Sequence, residues 1–128
     1  MRSSILFGMF GLLATIPGCG QGWKMDYADP AAQFLQEELA AKGGAFVGEK
    51  ITVKGTVEKI DVSVPGSARV FLTGGIQCEF GKFQAMAEGC EIGTTVYVDG
   101  FLERCKEGDM LLAPAMLRDP TAPFSPMK

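Results

Sequence analysis

Residues 47–59, VGEKITVKGTVEK, and residues 92–104, IGTTVYVDGFLER, repeat one pattern at an offset of 45 positions. Val47 matches Ile92, Gly48 matches Gly93, Ile51 matches Val96 and Val53 matches Val98. Gly55 then matches Gly100, Val57 matches Leu102, Glu58 matches Glu103, and Lys59 matches Arg104. Apolar residues at every second position describe a strand with one buried face. A glycine inside such a strand loses more backbone entropy on folding than any other residue and offers nothing to pack, so it marks a bulge or sharp bend. Two strands are therefore expected to bend at corresponding places, Gly55 and Gly100. The segments between them do not match, so shared geometry explains the repeat better than duplication.

The rest of the chain is punctuated for strands as well. The bent strands cover residues 50–62 and 95–104. Between them, residues 61–67 with Pro65-Gly66 form a hairpin connection, residues 68–73 a strand, Gly74-Gly75 a turn, and residues 76–80 a further strand. Phe83, Met86 and Ala87 share one face of a short helix that stops at Gly89. A turn at residues 106–109 leads to the last strand, residues 110–117. Upstream, Asp29 is a good N-cap, Pro30 suits the first helical position, and Ala31, Phe34, Leu35 and Leu39 follow at helical spacing before Gly43-Gly44. An amphipathic helix over residues 29–42, packed on the strands, is expected.

Five strands with a helix between the third and fourth is the order of the OB-fold, a small Greek-key barrel. The expected class is mainly β: a five-stranded OB-fold barrel with an N-terminal amphipathic helix and a short helix between strands 3 and 4. Its first strand must belong to both sheets, and a glycine or bulge lets it turn the corner. The domain is expected over residues 29–118, and residues 119–128, with three prolines, are expected as a flexible tail.

The first nineteen residues differ in kind. Arg2 precedes an uncharged apolar run over residues 5–16, which is the pattern of a secretory signal peptide over residues 1–18. Its end, Ile16-Pro17-Gly18-Cys19, resembles the lipobox of bacterial lipoproteins, with Pro17 where alanine or serine is usual. That resemblance implies lipidation at Cys19 and a membrane-anchored protein of the cell envelope facing the periplasm or exterior, while residues 19–28, with Gly20, Gly22 and polar residues in no sustained period, are expected as a tether.

The segments FVGEKITVKGTVEKI, RVFLTGGIQCEF, EIGTTVYVDGFLERC and MLLAPAML together resemble the tRNA_anti-like family of small bacterial OB-fold domains. The likeness spans residues 29–117. Cys78 and Cys105 stand where the family often carries cysteines, and Ala115 lies near the place of a further one that this chain lacks. The resemblance implies the fold and is nearly silent about activity.

Composition narrows the function. The net charge is −3 and there is no histidine. A binder of nucleic-acid phosphates needs a basic stripe, which this balance does not supply, so nucleic acid is a poor partner. Without histidine the chain lacks the commonest general base and metal ligand. No carboxylate pair, phosphate-cradling loop or nucleophile elbow points to an enzyme. With Cys19 lipidated, Cys78, Cys90 and Cys105 remain, without C-x-x-C spacing for a metal. A Cys90–Cys105 disulfide is disfavoured by the extended strand between them. Cys78 shares parity with Ile76 and Phe80 and should face the core. No cofactor is expected.

Ligand-binding OB-folds commonly use the face of the second and third strands. If Val70, Leu72, Ile76, Cys78 and Phe80 point inward, then Arg69, Phe71, Thr73, Gln77 and Glu79 point outward. One cation, one aromatic and several polar groups suit a sugar or a peptide. They also suit an ordinary solvated surface, with Phe71 covered by the N-terminal helix. The expectation is an envelope binding or interaction module for an oligosaccharide or a peptide or protein partner. A single-stranded nucleic-acid binder is the alternative.

Overall fold

The alternating apolar residues resolve into strands that wrap a single core. A computed structural model describes residues 29–127; the segments expected as signal peptide and tether, with Cys19, lie outside the described residues. The elements are β1 (Ala32–Leu35), α1 (Gln36–Lys42), a 3-10 turn (Gly43–Phe46), β2 (Lys50–Asp61), β3 (Ala68–Leu72), β4 (Ile76–Gly81), α2 (Gln84–Glu88), β5 (Thr95–Lys106) and β6 (Asp109–Leu117). Strands β2, β3, β4, β6 and β5 pair in that order, and β5 returns to β2, closing a five-stranded barrel. The β4–β6 pair is parallel and the other four are antiparallel. This is the OB-fold, as expected. Val70, Leu72, Ile76, Cys78 and Phe80 all point inward at 2% exposure or less, beside Ile51, Val53, Val57, Val98, Leu102 and Leu112.

The repeat has a geometric cause. Val53 and Val98, matched in sequence, are also paired across the β2–β5 ladder, with Gly55 opposite Val96 and Ile51 opposite Gly100. The flanks obey the same relation. The Gly48 N–H donates to the Leu102 carbonyl at 2.7 Å, and the Gly93 N–H donates to the Val57 carbonyl at 2.8 Å. The Leu102 N–H donates to Glu49 at 3.0 Å and the Val57 N–H to Thr94 at 2.9 Å. Gly48 and Gly93 hold φ of 93° and 90°, a left-handed region that favours glycine. A local two-fold axis through the Val53–Val98 pair thus relates one half of the ladder to the other, and each half carries the same pattern of glycine and apolar positions.

The bend is not where Gly55 suggested. The register of β2 against β3 breaks between Val57 and Lys59, so Glu58 is the extra residue of a bulge. Gly55 meets a packing need: a Cβ there would lie 2.7 Å from Gln36 Oε1 and 2.9 Å from Leu72 Cδ1. Gly100 does adjoin a break, since the β5–β6 register shifts between Gly100 and Leu102. It also sits tight against β6, where a Cβ would come within 3.0 Å of Leu112 Cβ and of the Pro114 carbonyl oxygen.

The N-terminal helix is shorter than its sequence pattern. Residues 32–35 instead form β1, parallel to β2 with Phe34 opposite Val53, and the Ala31 N–H donates to Lys50 at 2.8 Å. Leu35, still extended, precedes the first helical residue, and no side chain caps the helix. Asp29 and Pro30 therefore do not open it. Phe34 and Leu39 are both fully buried, one from the strand and one from the helix. Gln36 folds back so that its Oε1 accepts the Thr56 N–H at 2.9 Å.

Candidate binding face

Beyond the Glu58 bulge the alternation of β2 changes parity, so Lys59 and Asp61 join β3 and β4 on the outer face. Lys59 pairs with Phe71 and Asp61 with Arg69; Phe71 then pairs with Gln77 and Arg69 with Glu79. Arg69 donates from Nη2 to Asp61 Oδ2 at 2.6 Å. Asp61 also accepts the Ser63 hydroxyl at 2.6 Å and the Ser63 N–H at 3.0 Å. These Ser63 bonds first, and Arg69 after them, hold its carboxyl at about 2. Gln77 donates from Nε2 to Glu79 Oε2 at 2.6 Å. Phe71 is half-buried, with Lys59 Nζ 5.2 Å and Arg69 Cζ 5.8 Å from its ring centroid, within cation–π reach. Helix α1 packs on β2 and β5 rather than over Phe71.

The row extends further round the barrel than the sequence indicated. Gln77 pairs with Leu111 on β6, and Leu111 pairs with Arg104 on β5. Arg104 donates to Asp109 Oδ1 at 2.9 Å from Nη2 and 3.0 Å from Nε. Lys59, Phe71, Gln77, Leu111 and Arg104 thus line up across all five strands.

Of the five residues proposed from sequence, the structure brings together Arg69, Phe71, Gln77 and Glu79. Thr73 does not join them: it is exposed beyond the end of β3, and its N–H donates to Thr56 at 3.0 Å. Sequence reading missed Lys59, Asp61, Leu111 and Arg104. The signal for the first two was present. Inward apolar residues run 51, 53 and 57, then switch to Ile60 and Val62, which is what a one-residue bulge does to a period of two.

Electrostatically the face is balanced. Lys59, Arg69 and Arg104 stand against Asp61, Glu79 and Asp109, and two of these cations are already paired within the face. Such an arrangement presents an aromatic ring among fixed polar groups with no excess of either sign.

The thiols lie elsewhere. Cys78, Cys90 and Cys105 are free, and burial pushes each above the ordinary cysteine range, Cys78 the furthest. None has the lowered pKa of a reactive thiolate.

A second polar cluster is sealed into the opposite side of the β2–β5 seam. Thr52 and Asp99 are register partners, and the Thr52 hydroxyl donates to Asp99 Oδ1 at 2.5 Å. Arg118 donates to Asp99 Oδ2 at 3.1 Å from Nη1 and to the Pro123 carbonyl at 3.3 Å from Nη2. The tail, expected to be loose, therefore follows a defined course. The Met127 N–H donates to the Gln33 carbonyl at 2.8 Å, and Phe124 sets its ring edge-on to Tyr97 at 5.2 Å.

No family model matches the chain, and no curated protein matches it. Among solved structures it is similar to a candidate nucleic acid-binding lipoprotein from Klebsiella pneumoniae subsp. pneumoniae MGH 78578, at 15% identity and a TM-score of 0.46, over 62% of this chain and 78% of that one. It is also similar to the Stn1–Ten1 complex of S. pombe, at 13% identity and a TM-score of 0.40, over 73% of this chain and 80% of that one.

Proposed function

We propose that this chain is a lipid-anchored binding module of the bacterial envelope that takes an uncharged oligosaccharide across β3 and β4. The observation that carries the reading is the charge-balanced row around Phe71. A single-strand nucleic-acid binder stacks bases on aromatics within a positive groove, and this face has as many carboxylates as cations. A sugar asks for an aromatic platform with donors and acceptors held at its edge. Arg69 held by Asp61, and Gln77 held by Glu79, are ordered before any ligand arrives, which lowers the entropic cost of binding. The anchor at Cys19 rests on the sequence of residues 16–19 alone.

The test is titration calorimetry of the mature protein with soluble envelope oligosaccharides and, in parallel, with single-stranded oligonucleotides. Glycan affinity should be insensitive to salt, and Phe71→Ala should weaken it by about 2 kcal/mol, roughly 30-fold. Oligonucleotide binding whose affinity falls steeply with salt would overturn the sugar reading in favour of nucleic acid. Cys19→Ala should abolish labelling by a clickable fatty acid and release the protein from membranes.

A further inference from the structure

The barrel has a second surface, independent of the β3–β4 face, where the chain's own C-terminal segment behaves as a bound peptide. Residues 123–127 run beside β1 without regular secondary structure of their own. One backbone bond joins them to the strand, from the Met127 N–H to the Gln33 carbonyl. The Gln33 side chain grips them twice more: its Nε2 donates to the Pro123 carbonyl at 3.3 Å, and its Oε1 accepts the Ser125 N–H at 2.6 Å. Arg118 holds the same Pro123 carbonyl from the other side. These four bonds all go to main-chain atoms of the segment, so they would hold any extended chain. The side chain that selects is Phe124, against Tyr97.

Among the described residues the seat is larger than its occupant. A hollow of about 480 Å³ remains between the segment and residues 29–33, with Phe46 and Arg118 in its lining. Another of about 530 Å³ remains between the segment and α1, where Leu35, Glu38 and Lys42 line it. Met127, which closes the strap, is 40% exposed.

We infer that the cleft formed by β1, Gln33, Tyr97 and Arg118 is a docking site for an extended peptide of a partner protein carrying a central aromatic residue, and that residues 123–127 occupy it until such a peptide displaces them. Strand addition to a sheet edge, with one side-chain anchor for selectivity, is an established mode of peptide recognition. The tethered segment competes at the high local concentration of an intramolecular ligand, so it sets a threshold that a partner must exceed.

The test uses the full mature chain and a fluorescent peptide of residues 120–127. The wild type should bind it weakly. A variant with residues 123–127 replaced by Gly and Ser at equal length should bind it at least tenfold more tightly, and adding Gln33→Ala should reverse that gain. The inference is overturned if the Gly/Ser variant melts like wild type yet does not bind the peptide. It is also overturned if that variant is monomeric while wild type forms concentration-dependent dimers by exchanging tails, since the occupant would then be a second copy. Amide exchange in the wild type serves if the variant does not fold. Met127 should exchange far faster than Val53, and equal protection would make the tail part of the core and end the proposal.

Discussion

Gly55 and Gly100 match in sequence, yet alanine at the two positions should act through different contacts. At Gly100 the new methyl would meet Leu112 Cβ and the Pro114 oxygen at 3.0 Å and Ala115 Cβ at 3.2 Å. None of these atoms can rotate away, so β6 must shift, and such overpacking costs about 1–3 kcal/mol. The smaller entropy loss of alanine returns about 0.4–1 kcal/mol, leaving a net cost of about 1 kcal/mol. At Gly55 the nearest atom is Gln36 Oε1, the far end of a flexible side chain, at 2.7 Å. Gln36 can swing out, but the part-buried Thr56 N–H then loses its acceptor, which costs about 1 kcal/mol or more. The Leu72 contact at 2.9 Å adds to this. In a Gln36→Ala background that donor is already orphaned, so Gly55→Ala should cost about 1 kcal/mol less than in wild type. Gly100→Ala should be indifferent to Gln36, additive within about 0.5 kcal/mol. Urea unfolding followed by far-ultraviolet circular dichroism reads all five variants against wild type. Equal costs of Gly55→Ala in both backgrounds would refute the packing account of that glycine.

Asp99→Ala should destabilise by about 3 kcal/mol, because it strands Arg118 and Thr52 in the seam, and by clearly less in an Arg118→Ala background. Thermal melts of the four-member cycle decide it. The folded Asp61 carboxyl is depressed to about 2, well below the ordinary aspartate value. Its contribution to stability is therefore complete above the unfolded pKa and is lost as pH falls from about 4 towards 2. A carboxyl NMR titration should show that midpoint, and Ser63→Ala and Arg69→Ala should each raise it. With a thiol reagent under native conditions Cys105, the most exposed of the three, should react first, and buried Cys78 only on unfolding.

The barrel was legible because its strands advertise their buried face. The strands from residue 50 to residue 117 fall within a few residues of their predicted bounds, and each predicted inward residue of β3 and β4 is buried. What escaped notice depended on partners distant in sequence. Residues 32–35 read AQFL, and Ala, Gln and Leu are good helix formers; only pairing with β2 makes them a strand. The tail carries no apolar period, and its course is set by Gln33 and Arg118, which its own residues cannot reveal. The candidate face divided along the same line. Arg69, Phe71, Gln77 and Glu79 follow from alternation within one hairpin, whereas Leu111 and Arg104 enter through pairing across β6 and β5.

The two-fold ladder of β2 and β5 also bears on how the chain avoids misassembly while it folds. Its strands are joined last in sequence terms, across the whole β3–β4–α2 meander, and non-local pairings of this kind form slowly. A slip of one residue would turn either Val53 or Val98 to the solvent while the other stays inside. A slip of two would strand the Gly48 and Gly93 donors that end the ladder on either side, so the seam carries a stop at each end and closes in one register. The same symmetry has a hazard. Since each half resembles the other, β2 of one unfolded chain can lie antiparallel on β2 of a second, Val53 against Val53, in imitation of the native pair. Refolding yield should therefore fall with protein concentration more steeply than for a barrel whose closing strands differ.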